Sequence, residues 1–69
     1  MDDYRVNPIK HAREAVGMSQ KQLAEATGLN LRTIQKLENW ERDILAMQVR
    51  NLLELAKALE VEPWALIVK

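Results

Sequence analysis

Apolar residues along the chain recur at three- and four-residue spacing, in short bursts separated by capping or breaking residues. The first burst opens at Asn7-Pro8: asparagine caps a helix, and proline suits the first helical position because its missing N–H has no intrahelical partner. Ile9, Ala12 and Val16 then form an inner stripe, and Gly17 ends the helix. Ser19, with Gln22 three positions later, makes a capping box for a second helix over about Gln20 to Ala26. Leu23, Ala24 and Thr27 are its inward positions. Gly28 stands where that helix must end, Leu29 plugs the gap, and Asn30 caps a third helix over Leu31–Asn39 with Ile34 and Leu37 inward. On this helix Leu31, Arg32, Thr33, Gln35 and Lys36 are left facing outward. Val49, Leu52, Leu55, Ala56 and Leu59 make the stripe of a fourth helix over Val49–Leu59, with Leu53 at its edge. Pro63 opens a last short helix whose Trp64 and Ile67 are expected to close the core. Met1 to Val6 has no periodicity and is expected to be a flexible lead-in. The pattern predicts an all-α fold in one domain spanning 1–69.

The connection between the third and fourth helices fits the pattern least well. Trp40 follows the third helix directly, and Ile44, Leu45 and Met47 make the loop unusually apolar. Some of these side chains must tuck under the fourth helix, and any left over would suit contact with a second chain. A left-handed cap at Trp40 would cost a bulky L-residue about 1–2 kcal/mol. Either the helix runs on through Trp40 or Asn39 takes the left-handed position.

Composition adds limits. The absence of cysteine excludes a disulfide framework and a thiolate metal site, and only two glycines and two prolines favour an all-α fold. His11 has no second histidine to join it in holding a metal and is expected to face solvent. No apolar run approaches membrane-spanning length, and no secretory leader pattern is present at the start. The chain has no nucleophile–base pair, no carboxylate pair with an obvious pocket and no phosphate-cradling glycine loop; capping accounts for Ser19, the one serine. It is therefore not expected to be an enzyme or to need a cofactor. Ten basic and ten acidic residues give zero formal charge, which runs against the basic excess usual in nucleic-acid binders. The distribution softens this: Asp2, Asp3, Glu54, Glu60 and Glu62 lie towards the ends, while Arg32, Lys36 and Arg42 lie centrally.

Gln20, Ala24, Gly28, Leu29, Ile34 and Leu37, with Ser19 before them and Leu37-Glu38-Asn39 after, match the helix-turn-helix pattern. Together with the run Leu52 to Leu66, they make Pro8 to Val68 resemble the lambda-repressor/Cro-like (XRE) family. The resemblance implies a five-helix domain whose second and third helices form the helix-turn-helix. It implies a transcription regulator of bacterial or phage type, a repressor acting in the cytoplasm, that binds double-stranded DNA through a major-groove recognition helix, Leu31–Asn39. The base-contacting positions would be Leu31, Arg32 and Lys36. Arginine can take guanine O6 and N7 together, whereas leucine offers only contact with a thymine methyl. Phosphate contacts would come from Gln20, Thr33, Asn39 and Arg42, and Arg13 would pair with Glu38 to tie the first helix to the third. A palindromic operator and a homodimer follow from the family pattern. The family usually has glycine where Trp40 stands. The alternative is an antitoxin-like protein-interaction module of the same fold, with a protein partner meeting Trp40 and the 44–47 loop.

Overall fold

Capping residues divide the chain into helices close to the expected ones. The computed structural model describes residues 6–67. The helices are α1 (Pro8–Ala15), α2 (Gln20–Thr27), α3 (Leu31–Glu38) and α4 (Val49–Leu59), with 3₁₀ turns at Ile44–Ala46 and Pro63–Leu66. The Asn7 side chain accepts from the N–H groups of Ile9 and Lys10 at 2.9 and 3.0 Å, so α1 starts where the cap signal falls. Of the proposed lead-in, only Val6 lies within the described residues, and it is exposed.

The core gathers where the helices converge. Ile9 and Ala12 of α1, Leu23 and Ala24 of α2, Ile34 and Leu37 of α3, and Leu55, Ala56 and Leu59 of α4 are buried together. α2 packs against both α3 and α4, and α1 against α3, α4 and the C-terminal 3₁₀ turn. Leu29 is half-buried against this core, and Ile44 and Met47 of the loop reach into it while Leu45 stays 63% exposed. His11 lies on the exposed side of α1.

Several expectations need correcting. Among the described residues there are four α-helices, not five: the segment after Pro63 makes i→i+3 bonds, Ala65 N–H to Glu62 O and Ile67 N–H to Trp64 O, and turns extended at Ile67. That single turn has one inward position, and Leu66 fills it at 1% exposure, whereas Trp64 is 70% exposed instead of closing the core. Val16 follows the last residue of α1 and is exposed. Val49, the first residue of α4, stands clear of the body at 68% exposure. Helix periodicity extrapolates a stripe to the helix end; the partners it would pack on end sooner.

The end of α3 departs furthest from expectation. The helix stops at Glu38, Asn39 keeps a negative φ of −94°, and Trp40 itself is left-handed at φ 64°. Glu41 N–H reaches Lys36 O at 2.8 Å, and Trp40 N–H reaches Leu37 O at 3.4 Å. These are the paired bonds of a Schellman cap, which satisfy two helix-end carbonyls and hold Trp40 in the strained geometry. α4 ends the same way at Glu60, φ 61°, with Val61 N–H on Ala56 O and Glu60 N–H on Lys57 O.

Candidate nucleic-acid interface

The unit α2–turn–α3 is fixed by local chemistry. Ser19 Oγ accepts from Gln22 N–H at 3.0 Å, while Gln22 Oε1 accepts from Ser19 N–H at 2.8 Å, closing both halves of the capping box. Gly28 takes φ 74° in the turn, a conformation open to glycine without steric cost. Thr27 Oγ1 donates to Leu23 O at 2.8 Å and accepts from Leu29 N–H, bracing the turn. Asn30 Oδ1 accepts from Arg32 N–H at 2.8 Å and starts α3.

Two tertiary bonds hold the far end of α3. Asn7 Nδ2 donates to Leu37 O at 2.9 Å. Arg13 donates through Nε to Glu38 Oε2 at 2.7 Å and through Nη2 to Glu38 Oε1 at 3.0 Å, a two-pronged ion pair, while its Nη1 donates to Met18 O. The Glu38 side chain is 2% exposed. The hydrogen bonds it donates to Glu38 hold the Arg13 guanidinium above its ordinary pKa, against the opposing effect of burial and with help from the charges of Glu38 and Glu14. Every buried side-chain polar atom among the described residues has a partner, so this network leaves no charge stranded.

With both ends held, α3 turns one face outward. Leu31, Arg32, Gln35, Lys36 and Asn39 are exposed, and together with Asn30 and Glu41 they line a shallow open groove. The structure thus brings together four of the sequence-derived positions: Leu31, Arg32, Lys36 and Asn39. Thr33 is half-buried at the margin and does not line the groove. Arg42 lies in the following loop and lines a different groove, between that loop and the start of α1. Gln20 is half-buried, and its Nε2 donates to Glu38 Oε1 at 3.0 Å, so one of its two amide hydrogens is already engaged. The N–H groups of Gln20 and Lys21, at the start of α2, have no acceptor among the described residues and remain open to an anion. Sequence reasoning left two residues of this face without a role. Gln35 is reachable from the sequence, four residues after Leu31 and three after Arg32. Glu41 is not, because its place depends on the left-handed turn at Trp40.

This arrangement, a capped helix, a glycine turn and a second helix with an outward polar face, defines a helix-turn-helix protein. The helix-turn-helix family model matches residues 9–63, and the chain belongs to that family, in its XRE/Cro-like branch of DNA-binding transcription regulators. The fold is similar to the crystal structure of the restriction-modification controller protein C.AhdI from Aeromonas hydrophila. That likeness has a TM-score of 0.78 at 31% identity, covering 93% of this chain and 92% of that one. No curated protein matches the sequence. Among the described residues, no helix is long and apolar enough to cross a membrane.

Proposed function

We propose that this protein is a sequence-specific regulator that binds double-stranded DNA as a homodimer on a palindromic operator and represses from it. α3 lies in the major groove. Arg32 takes guanine O6 and N7 together, Lys36 reaches guanine or a phosphate, and Leu31 meets a thymine methyl. Gln20, Thr33, Asn39 and Arg42 contact the backbone; Gln20 does so through its second amide hydrogen, beside the free N–H groups at the start of α2. The observation that carries this reading is the exposed face of α3 with Arg32 and Lys36, on a helix held at one end by Asn30 and at the other by Arg13–Glu38. The likeness to a restriction-modification controller supports the regulatory half. A DNA regulator of this type works in the cytoplasm.

A second reading, an interaction module of antitoxin type, is favoured by two side chains of the loop, Trp40 at 51% and Leu45 at 63% exposure. Selection of the purified protein against a randomised duplex library at two salt concentrations separates the two. Enrichment of paired half-sites about one DNA turn apart supports the operator reading. Weak, salt-sensitive binding without enrichment overturns it in favour of the interaction module. In the same experiment Arg32→Ala is expected to relax preference at one base pair and to cost about 1–3 kcal/mol on the selected site.

A further inference from the structure

The groove-facing arc of α3 has a middle and two flanks, and the residues fall differently on them. At about 100° per residue, Leu31 and Lys36 stand roughly 140° apart, and Gln35 and Arg32 fall between them, each about 40° in from its own flank. Asn39 shares the middle but lies at the opposite end of the helix from Asn30. Half-buried Thr33 and buried Glu38 bound the arc on either side. A helix lying in the major groove points the side chains at the middle of its outward arc most directly at the base edges, while those at its flanks reach the outer base edges or the phosphates of the groove walls. In the first two turns of α3 the middle positions are Arg32 and Gln35.

From this we propose that Gln35 is a base reader, paired with Arg32, and that its target is adenine. The inference rests on the operator reading above and deepens it. Four observations converge. Gln35 is exposed and lines the same groove as Arg32, Lys36 and Asn39. Its amide makes no hydrogen bond among the described residues, unlike that of Gln20, so donor and acceptor are both free. The amide offers one donor and one acceptor side by side, the complement of adenine N7 and N6–H₂, as the arginine fork is of guanine. Leu31, which shares the Gln35 side of the arc, has no hydrogen bond to give, so Gln35 is the first polar group on that side. Gln35 lies about 4.5 Å further along the helix than Arg32, slightly more than the 3.4 Å rise of one base step. The two residues therefore read adjacent or next-adjacent pairs, and each half-site contains a G·C pair with an A·T pair within about two steps.

The test runs the duplex selection with the wild-type chain, Gln35→Ala, Gln35→Glu and Arg32→Ala, and measures affinity for random-sequence duplex alongside. Wild type should enrich half-sites with both pairs. Gln35→Ala should lower the A·T preference roughly tenfold while keeping the G·C preference and the random-sequence affinity. Gln35→Glu should move that position towards cytosine, since a carboxylate accepts from the cytosine amine. Exposure of Gln35 makes both variants foldable, and retained G·C selection certifies it. An unchanged A·T preference in Gln35→Ala overturns the proposal. So does a loss shared equally by selected and random duplexes, the signature of a phosphate contact. If wild type enriches no motif, the operator reading itself fails and this inference goes with it. If only the Gln35 effects are missing while Arg32→Ala relaxes its pair, the operator reading stands without it.

Discussion

Trp40 and Glu60 hold backbone conformations that glycine adopts at lower cost, and their side chains make the two cases differ. Each is left-handed, at φ 64° and 61°, and each closes a helix through a Schellman cap. The strain is about 1–2 kcal/mol per site. Replacement by glycine relieves it but adds about 0.5–1 kcal/mol of unfolded-chain entropy. At Glu60 the exposed side chain makes no hydrogen bond among the described residues, so relief outweighs entropy. Glu60→Gly is expected to stabilise by up to about 1 kcal/mol, visible as a rise of a few degrees in the thermal midpoint. At Trp40 roughly half the indole is covered. Burial of about 100 Å² of apolar area contributes about 2.5 kcal/mol, more than the strain relieved. Trp40→Gly should therefore lower the midpoint, and melts of the two variants side by side should move in opposite directions. Equal shifts of the same sign would mean that strain, not the indole, governs the end of α3.

At the scale of elements, what was legible in the sequence was what is set within a few residues. Asn7-Pro8, Ser19 with Gln22, Gly28 and Asn30 each form the cap or turn their identities imply, because the partner backbone lies within about a turn. Arg32 and Lys36 could be placed on one face for the same reason. What was not legible depends on distant neighbours: Trp64 outside and Leu66 inside, Val49 clear of the core, the amide of Gln20 taken by Glu38, and the left-handed state forced on Trp40. The Arg13–Glu38 pair is the long-range tie that holds α3, and it invites a test of what it contributes. Glu38→Ala leaves a buried guanidinium unpaired and should cost about 3–5 kcal/mol in chemical denaturation. The double replacement Arg13→Met, Glu38→Leu strands no charge and should recover most of that loss. It should still bind the selected site less well, because the α1–α3 bond is gone. Since the guanidinium pKa is raised, its share of stability is complete below the ordinary arginine value and is lost only as pH rises through the still higher folded value. The arginine side of the pair thus gives no stability change across neutral pH.

At the scale of the whole molecule, zero net charge shapes how the protein can hold DNA. Arg32 and Lys36 share their groove with Glu41, so one copy neutralises few phosphates and gains little sequence-independent affinity. On the proposed operator reading, useful occupancy depends on two copies engaging two half-sites together, and association is then a condition of binding. We propose as its surface the exposed apolar side chains of α4 and the turn that packs against it: Val49 and Leu53, one turn apart on α4 at 68% and 50% exposure, and Trp64 on the C-terminal 3₁₀ turn, at 70%. None of these side chains supports the core, so replacing them tests association without unfolding the chain. Trp64→Lys, alone and with Leu53→Lys, should shift sedimentation towards monomer by at least tenfold in dissociation constant while leaving the denaturation midpoint of the monomer nearly unchanged. On DNA the same variants should lose affinity for a paired site and keep it for an isolated half-site. If they remain dimeric, the interface lies elsewhere, and Leu45 beside Trp40 becomes the surface to replace. If wild type is monomeric and binds paired sites no better than single ones, the homodimer is wrong, and recognition rests on one α3 face alone.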